Sequence, residues 1–199
     1  MLYIFDMGGV VTTTCKIEKE LEKILKISWK EFLRFCGVKN ENETTDSTKE
    51  NLMSLCSDGK ISCREFWERF SENSGIKVKT DWWHWLFHPE LNTQTVEIIR
   101  TLKQRKNRVV CGTNTIDSHW KNHMERGDYS YFDQTYASCF MGISKPHPDF
   151  WNIILTAEKA RPEDTVFIDD RIENCRAAEA LGIKAVHFIN AAQLKEELL

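Results

Sequence analysis

The chain has almost no surplus of charge. Its 27 basic and 30 acidic side chains leave a formal net charge of −3. A nucleic-acid footprint needs a clustered basic excess, and attraction to anionic lipid needs a polybasic segment, so neither partner is implied. No apolar run approaches the roughly 18 residues of a membrane-spanning helix. The short apolar run at the N terminus is interrupted by Asp6, which excludes a signal-peptide core. The seven cysteines, Cys15, Cys36, Cys56, Cys63, Cys111, Cys139 and Cys175, are odd in number and contain no C-x-x-C pair. That argues against a disulfide framework and a structural zinc site. They read as small buried hydrophobes in a reducing compartment, and the expected location is cytoplasmic. Internal repeats and low-complexity segments are absent.

A length of 199 residues accommodates one core, or one core with a smaller inserted module. Short apolar runs at Leu2–Phe5, 108–112, 165–168 and 184–188 read as buried parallel strands. Helical periodicity fills 93–104, 149–159 and 173–181, the last closed by Gly182. Alternating strand and helix predicts an α/β fold, a Rossmann-like parallel sheet with helices on both faces. Residues from about 16 to 88 break the rhythm. Ile17, Leu21, Ile24 and Leu25 recur at helical spacing, a polar stretch at 40–48 reads as an exposed loop, and Ser62 and Glu65 have capping-box spacing. The expected organisation is an α/β core of 1–13 and 90–199 with an inserted all-helical module at 14–89.

The strand ends carry the chemistry. Asp6 follows the first strand directly, where open α/β sheets bind ligands, and Gly8 and Gly9 let the backbone turn beside it. Thr113 and Asn114 end the second run, and Asp169 and Asp170 end another. Lys145 lies between Ser144 and Pro146, with a further proline at 148. Together these residues suit phosphoryl transfer. A phosphate monoester is a dianion, and a carboxylate nucleophile needs a cation to approach it. Asp6, the Gly8 carbonyl and Asp170 can offer hard oxygen ligands to Mg²⁺, with Asp169 as ligand through water or as support. Lys145, Thr113 and Asn114 can bind the phosphoryl group while Asp6 attacks. Simpler readings exist for each piece alone: an Asx-type turn at 113–114, a solvated Lys145, and a helix N-cap for the two aspartates.

In this order, the set resembles the haloacid dehalogenase-like (HAD) hydrolase superfamily. Asp6 in Phe5-Asp6-Met7-Gly8-Gly9-Val10, Thr113 after Val109-Val110, Lys145 in Ser144-Lys145-Pro146, and Asp169-Asp170 after Ile168 are similar to its four motifs. The nearest pattern is the α-D-glucose-1-phosphate phosphatase-like branch, which shares the Phe-Asp-x-Gly turn and the pair Asn114-Thr115. The resemblance implies a Mg²⁺-dependent phosphatase for a small phosphorylated metabolite, an aspartyl-phosphate on Asp6, and a C1-type cap for the helical module. One departure matters. Most phosphatases of the superfamily carry a second Asp two positions after the nucleophile to protonate the leaving group, and here that position is Gly8. His84, His88, His119 and His147 are candidates for the missing acid/base. Asp117, His119 and Trp120 are candidates to border the pocket, and Trp82-Trp83-His84-Trp85 is a candidate platform for a ring. Two alternatives share the fold: a metal-independent dehalogenase, and a catalytically weak protein that binds a phosphorylated ligand or partner.

Overall fold

The four buried residues of β1 (Leu2–Phe5) decide the architecture through the alternation of their side chains. Tyr3 and Phe5 enter one apolar layer, Leu2 and Ile4 the other. A strand apolar on both sides belongs in the middle of a sheet covered on both faces. The computed structural model describes residues 1–39 and 50–199, and in it β1 is central. It pairs in parallel with β2 (Arg108–Thr113) and β4 (Thr165–Asp169), with β3 (Gln134–Ala137) and β5 (Lys184–His187) outside them, in the order β3-β2-β1-β4-β5. Phe5 stands opposite both Cys111 and Ile168. The three central strands therefore finish within two residues of one another, and the polar residues at their ends share one edge.

β3 was not expected from the sequence. Gln134, Thr135 and Tyr136 are polar or amphipathic and only Ala137 is buried, because an edge strand needs no apolar run. The helices Asp117–Arg126, Ser138–Met141 and Ala191–Leu198 were not expected either, and the remaining differences lie at element ends, where local signals are weakest.

Between β1 and β2 the chain forms α1 (Glu18–Leu25), α2 (Trp29–Phe35), α3 (Leu52–Ser57), α4 (Cys63–Ser74) and α5 (Trp82–Trp85). No strand occurs among the described residues of this segment, and the polar stretch at 40–48 lies outside the described residues. Ser28 and Asn51 close reciprocal capping boxes on α2 and α3. Ser62 accepts the Glu65 amide on α4. The module has its own apolar core. Phe32 is central to it, stacked on Trp29 at 4.8 Å and packed against Phe70 at 4.9 Å, with Phe66, Trp67 and Trp83 around it. The chain enters and leaves side by side: Thr13 N donates to Glu90 O and Asn92 N to Val11 O, both at 2.8 Å.

After this return come α6 (Thr93–Gln104), α7 (Asp117–Arg126), the single turn α8 (Ser138–Met141), α9 (Asp149–Glu158), α10 (Ile172–Glu179) and α11 (Ala191–Leu198). Val96, Ile99, Leu102 and Leu194 cover one face of the sheet. Phe150, Trp151, Ile154 and Ala178 cover the other. Replacing Phe32 by Ala removes the ring that the module's aromatics share. Denaturant unfolding should show a loss of roughly 3–5 kcal/mol, and a loss below about 1 kcal/mol would show that Phe32 does not organise that core.

Candidate active site

Asp6 is placed by the sheet, its amide donating to Ile168 O at 2.8 Å across the β1–β4 edge. Asp6 is 8% exposed, and its carboxylate meets the ammonium of Lys145, a residue 2% exposed. Lys145 Nζ donates to Asp6 Oδ1 at 2.8 Å, to Asp169 Oδ2 at 2.7 Å and to Gly112 O at 2.9 Å. An ammonium has three protons, and all three are used here, on the ends of β1, β4 and β2. The rings of Phe150 and Phe167 stand 5.5 and 5.3 Å from Nζ and seal it from water.

The side chain of Asn114, expected to bind phosphate, engages the backbone of Lys145. Its Oδ1 accepts the Lys145 amide at 2.8 Å and its Nδ2 donates to Lys145 O at 2.9 Å. The side-chain amide mimics a strand partner and clamps the lysine loop to the end of β2. Thr113 is buried at the tip of β2, and among the described residues its hydroxyl makes only a long 3.4 Å bond to Asn114 O. It remains the better placed of the pair to donate to a ligand.

The two aspartates at the end of β4 differ in environment. Asp169 is 0% exposed. Its Oδ1 accepts from Arg171 N at 2.8 Å and Asn174 Nδ2 at 3.0 Å, while Oδ2 takes the lysine. With its oxygens so occupied, it serves as the lysine's counter-ion more than as a free metal donor. Asp170 is half-buried and has no salt bridge among the described residues. It packs against Gly9, whose φ is +83° and where a Cβ would lie 2.2 Å from Asp170 Oδ2. Only glycine permits that approach. Gly8 forms the bridge to Thr12 that folds the turn after β1. A Cβ at Gly8 would meet nothing within 4 Å.

Carboxylate oxygens of Asp6, Asp169 and Asp170 lie within 4.8 Å of one another. Three carboxylates face one ammonium, so the cluster carries excess negative charge. Burial raises the Asp6 pKa to about 7, and Asp169 and Asp170 add to the rise while Lys145 opposes it. Burial, then Asp169, also raises Asp170. Burial pulls Lys145 down, but Asp169 and Asp6 outweigh it and hold the amine above its ordinary value. The excess of carboxylate over ammonium charge would favour a cation here, and the oxygen-only donor set suits a hard divalent ion.

The remaining candidates are engaged elsewhere. His84 contacts Ser118 O and Glu125. His119 stacks on Phe87 at 3.8 Å, and burial lowers its pKa to about 3. His147 accepts the Asp149 amide, and His88 is exposed, with its amide donating to Cys15 Sγ. Asp117 accepts backbone amides of Cys63 and Ser118, and Trp120 stacks on Tyr129. Of the tryptophan run, Trp83 is buried in the helical module and Trp82 packs against that core, while Trp85 is 65% exposed. Sequence reasoning missed the contact made by the Ser57-Asp58-Gly59 turn. Ser144 Oγ donates to Asp58 Oδ1 at 2.6 Å, and Ser57 Oγ lies 3.0 Å from it. A Cβ on Gly59 would sit 1.8 Å from Cys139 O. The turn signature is visible in the sequence, but its partner 86 residues away is not.

Asp6 titrates with a consequence for stability. Its folded pKa of about 7 exceeds the ordinary 3.8, so protonation is favoured in the folded state. That contribution is complete below pH 3.8 and lost as the pH rises through 7. In EDTA, the stability of Asp6→Asn relative to wild type should therefore rise by roughly 1–3 kcal/mol between pH 4 and pH 8. Urea unfolding at the two pH values measures it, and a difference independent of pH contradicts the raised pKa.

A family model described as haloacid dehalogenase-like hydrolase matches residues 1–182. The chain is 22% identical to D-ribitol-5-phosphate phosphatase of Bacteroides thetaiotaomicron, spanning 98% of this chain and 95% of that relative. It is 26% identical to the sesquiterpene phosphatase astK of Aspergillus oryzae, spanning 98% and 93%. Among solved structures, a HAD family enzyme of Bacteroides thetaiotaomicron in complex with magnesium and inorganic phosphate superposes with a TM-score of 0.72. The match has 24% identity and covers 97% of this chain and 98% of that one. At that identity the superposition carries the fold.

Proposed function

The chain belongs to the haloacid dehalogenase-like hydrolase family, and we propose that it hydrolyses a small phosphate monoester, such as a sugar or polyol phosphate, through an aspartyl-phosphate on Asp6. The observation that carries this reading is the buried Lys145 joining Asp6 to Asp169, with Asp170 beside them, at the carboxyl ends of a parallel sheet. The phosphatase names of the two relatives support it. In this reading 14–89 is a cap over a core of 1–13 and 90–199. The free thiols of the described cysteines suit the cytoplasm.

The carboxylate excess fits Mg²⁺, which Asp6, the Gly8 carbonyl and Asp170 would hold. When bound, the ion neutralises the phosphate and polarises its oxygens. Asp6 Oδ1 is held by Lys145, which leaves Oδ2 as the attacking atom. Oδ2 bonds to phosphorus as the ester oxygen departs. Water then attacks phosphorus, releasing inorganic phosphate and regenerating the carboxylate. Lys145 keeps Asp6 oriented and balances charge as the bond forms. Thr113 donates to a phosphoryl oxygen, Asn114 keeps the Lys145 loop in place, and Asp169 keeps the ammonium aimed.

Purified protein should hydrolyse p-nitrophenyl phosphate with Mg²⁺ and lose that activity in EDTA. Asp6→Asn should lower kcat by at least about a thousand-fold. Equal rates for the two proteins would remove Asp6 as nucleophile, and activity undiminished by EDTA would remove the metal.

Gly8 puts no side chain beside the leaving oxygen, so the alcohol departs without a proton from that position. For a series of aryl and alkyl phosphates, log(kcat/KM) should fall steeply as leaving-group pKa rises. The open space at Gly8 accepts a carboxyl group, and Gly8→Asp should flatten that slope. A slope already flat in the wild type means that another residue supplies the proton.

A further inference from the structure

A second cluster of metal-binding atoms lies apart from the Asp6 site. Cys56 Sγ, Cys63 Sγ and a carboxylate oxygen of Asp117 all lie within 4.8 Å of one another. The two sulfurs are 3.4 Å apart. That exceeds the ~2.05 Å of a disulfide and approaches the ~3.8 Å expected between two sulfur ligands of one tetrahedral ion with ~2.3 Å metal–sulfur bonds. Both cysteines are buried, and Asp117 is half-buried.

Helix ends and backbone donors surround the cluster. Cys63 is the first residue of α4 and Asp117 the first of α7, so two positive helix ends converge on the cluster. Asp117 Oδ1 accepts from Cys63 N and Ser118 N, each at 3.0 Å. These bonds fix the carboxylate's orientation, as outer-shell donors do for metal ligands.

We propose that Cys56, Cys63 and Asp117 bind a thiophilic divalent cation of the Zn²⁺ class, with water in the fourth position. Two sulfurs and one carboxylate select such an ion over Mg²⁺. Each coordinated thiol releases its proton to solvent, so uptake strengthens as pH rises. The two cysteines come from α3 and α4 of the helical module and Asp117 from α7 beside the sheet, so the ion crosslinks the module to the core. The six-residue gap between Cys56 and Cys63 hides the pair from a search for C-x-x-C.

Titration of the full chain with Co²⁺, after chelator treatment and in a phosphine reductant, tests the proposal. The expected result is a thiolate-to-cobalt charge-transfer band with tetrahedral d–d bands, saturating at one ion per chain and abolished by equimolar Zn²⁺. Cys56→Ser and Cys63→Ser should each lose the charge-transfer band while retaining the wild-type far-ultraviolet circular dichroism. Asp117→Asn should weaken Co²⁺ binding at least ~10-fold. Asp6→Asn should keep the band, which separates this site from the oxygen-ligated one whether or not the phosphatase reading stands. Zn²⁺ should also raise the wild-type Tm, an effect absent in Cys63→Ser. A wild-type chain with no charge-transfer band, or a band that survives both cysteine substitutions, overturns the assignment.

Discussion

The ammonium of Lys145 is the constraint on which the rest of this molecule depends. A charge taken out of water must find partners for every proton it carries, and here the acceptors come from three strands. That requirement ties the carboxyl ends of β1, β2 and β4 to one point. It also explains Asn114, whose amide holds the backbone of the residue that bears the ammonium. Removing the lysine would leave three neighbouring carboxylates without their only close cation among the described residues.

The same loop receives the helical module. Ser144, immediately before Lys145, donates to Asp58, and Ser138 donates to Ser57 O at 2.7 Å. The close approach of Gly59 to Cys139 allows the Ser57-Asp58-Gly59 turn to lie flat against this loop. The module is thus joined to the lysine loop through hydrogen-bonded residues. At the other side of the seam Ser118 donates to Asp81, and His84 meets Ser118 O at 3.2 Å. The module is therefore seated at two places, one against the lysine loop and one against α7.

Gly8 and Gly9 divide the work of the turn after β1. Gly9 is demanded by geometry, because its φ is positive and Asp170 occupies the space of a side chain. Gly8 faces open space, so sterics do not explain the absence of a carboxyl group there. The contrast turns the missing acid/base into a question of chemistry rather than fold.

Local sequence determined the elements whose signal is local. The apolar runs of β1, β2 and β4 needed burial on both sides, and the polar residues ending them had to emerge at one edge, which made Asp6, Thr113 and the pair Asp169-Asp170 readable as neighbours. The helical character of the segment before β2 was readable for the same reason. Tertiary structure alone decided how long-range partners divide the hydrogen bonds. It gave Asp169 to Lys145 through contacts 24 residues apart, turned Asn114 onto the Lys145 backbone, and placed Asp58 on Ser144. It also made a strand of Gln134–Ala137, whose edge position asks for no apolar pattern, and brought Cys56 and Cys63 to Asp117. Periodicity and spacing record which face of an element is buried; they do not record which of several polar groups will meet once those faces have packed.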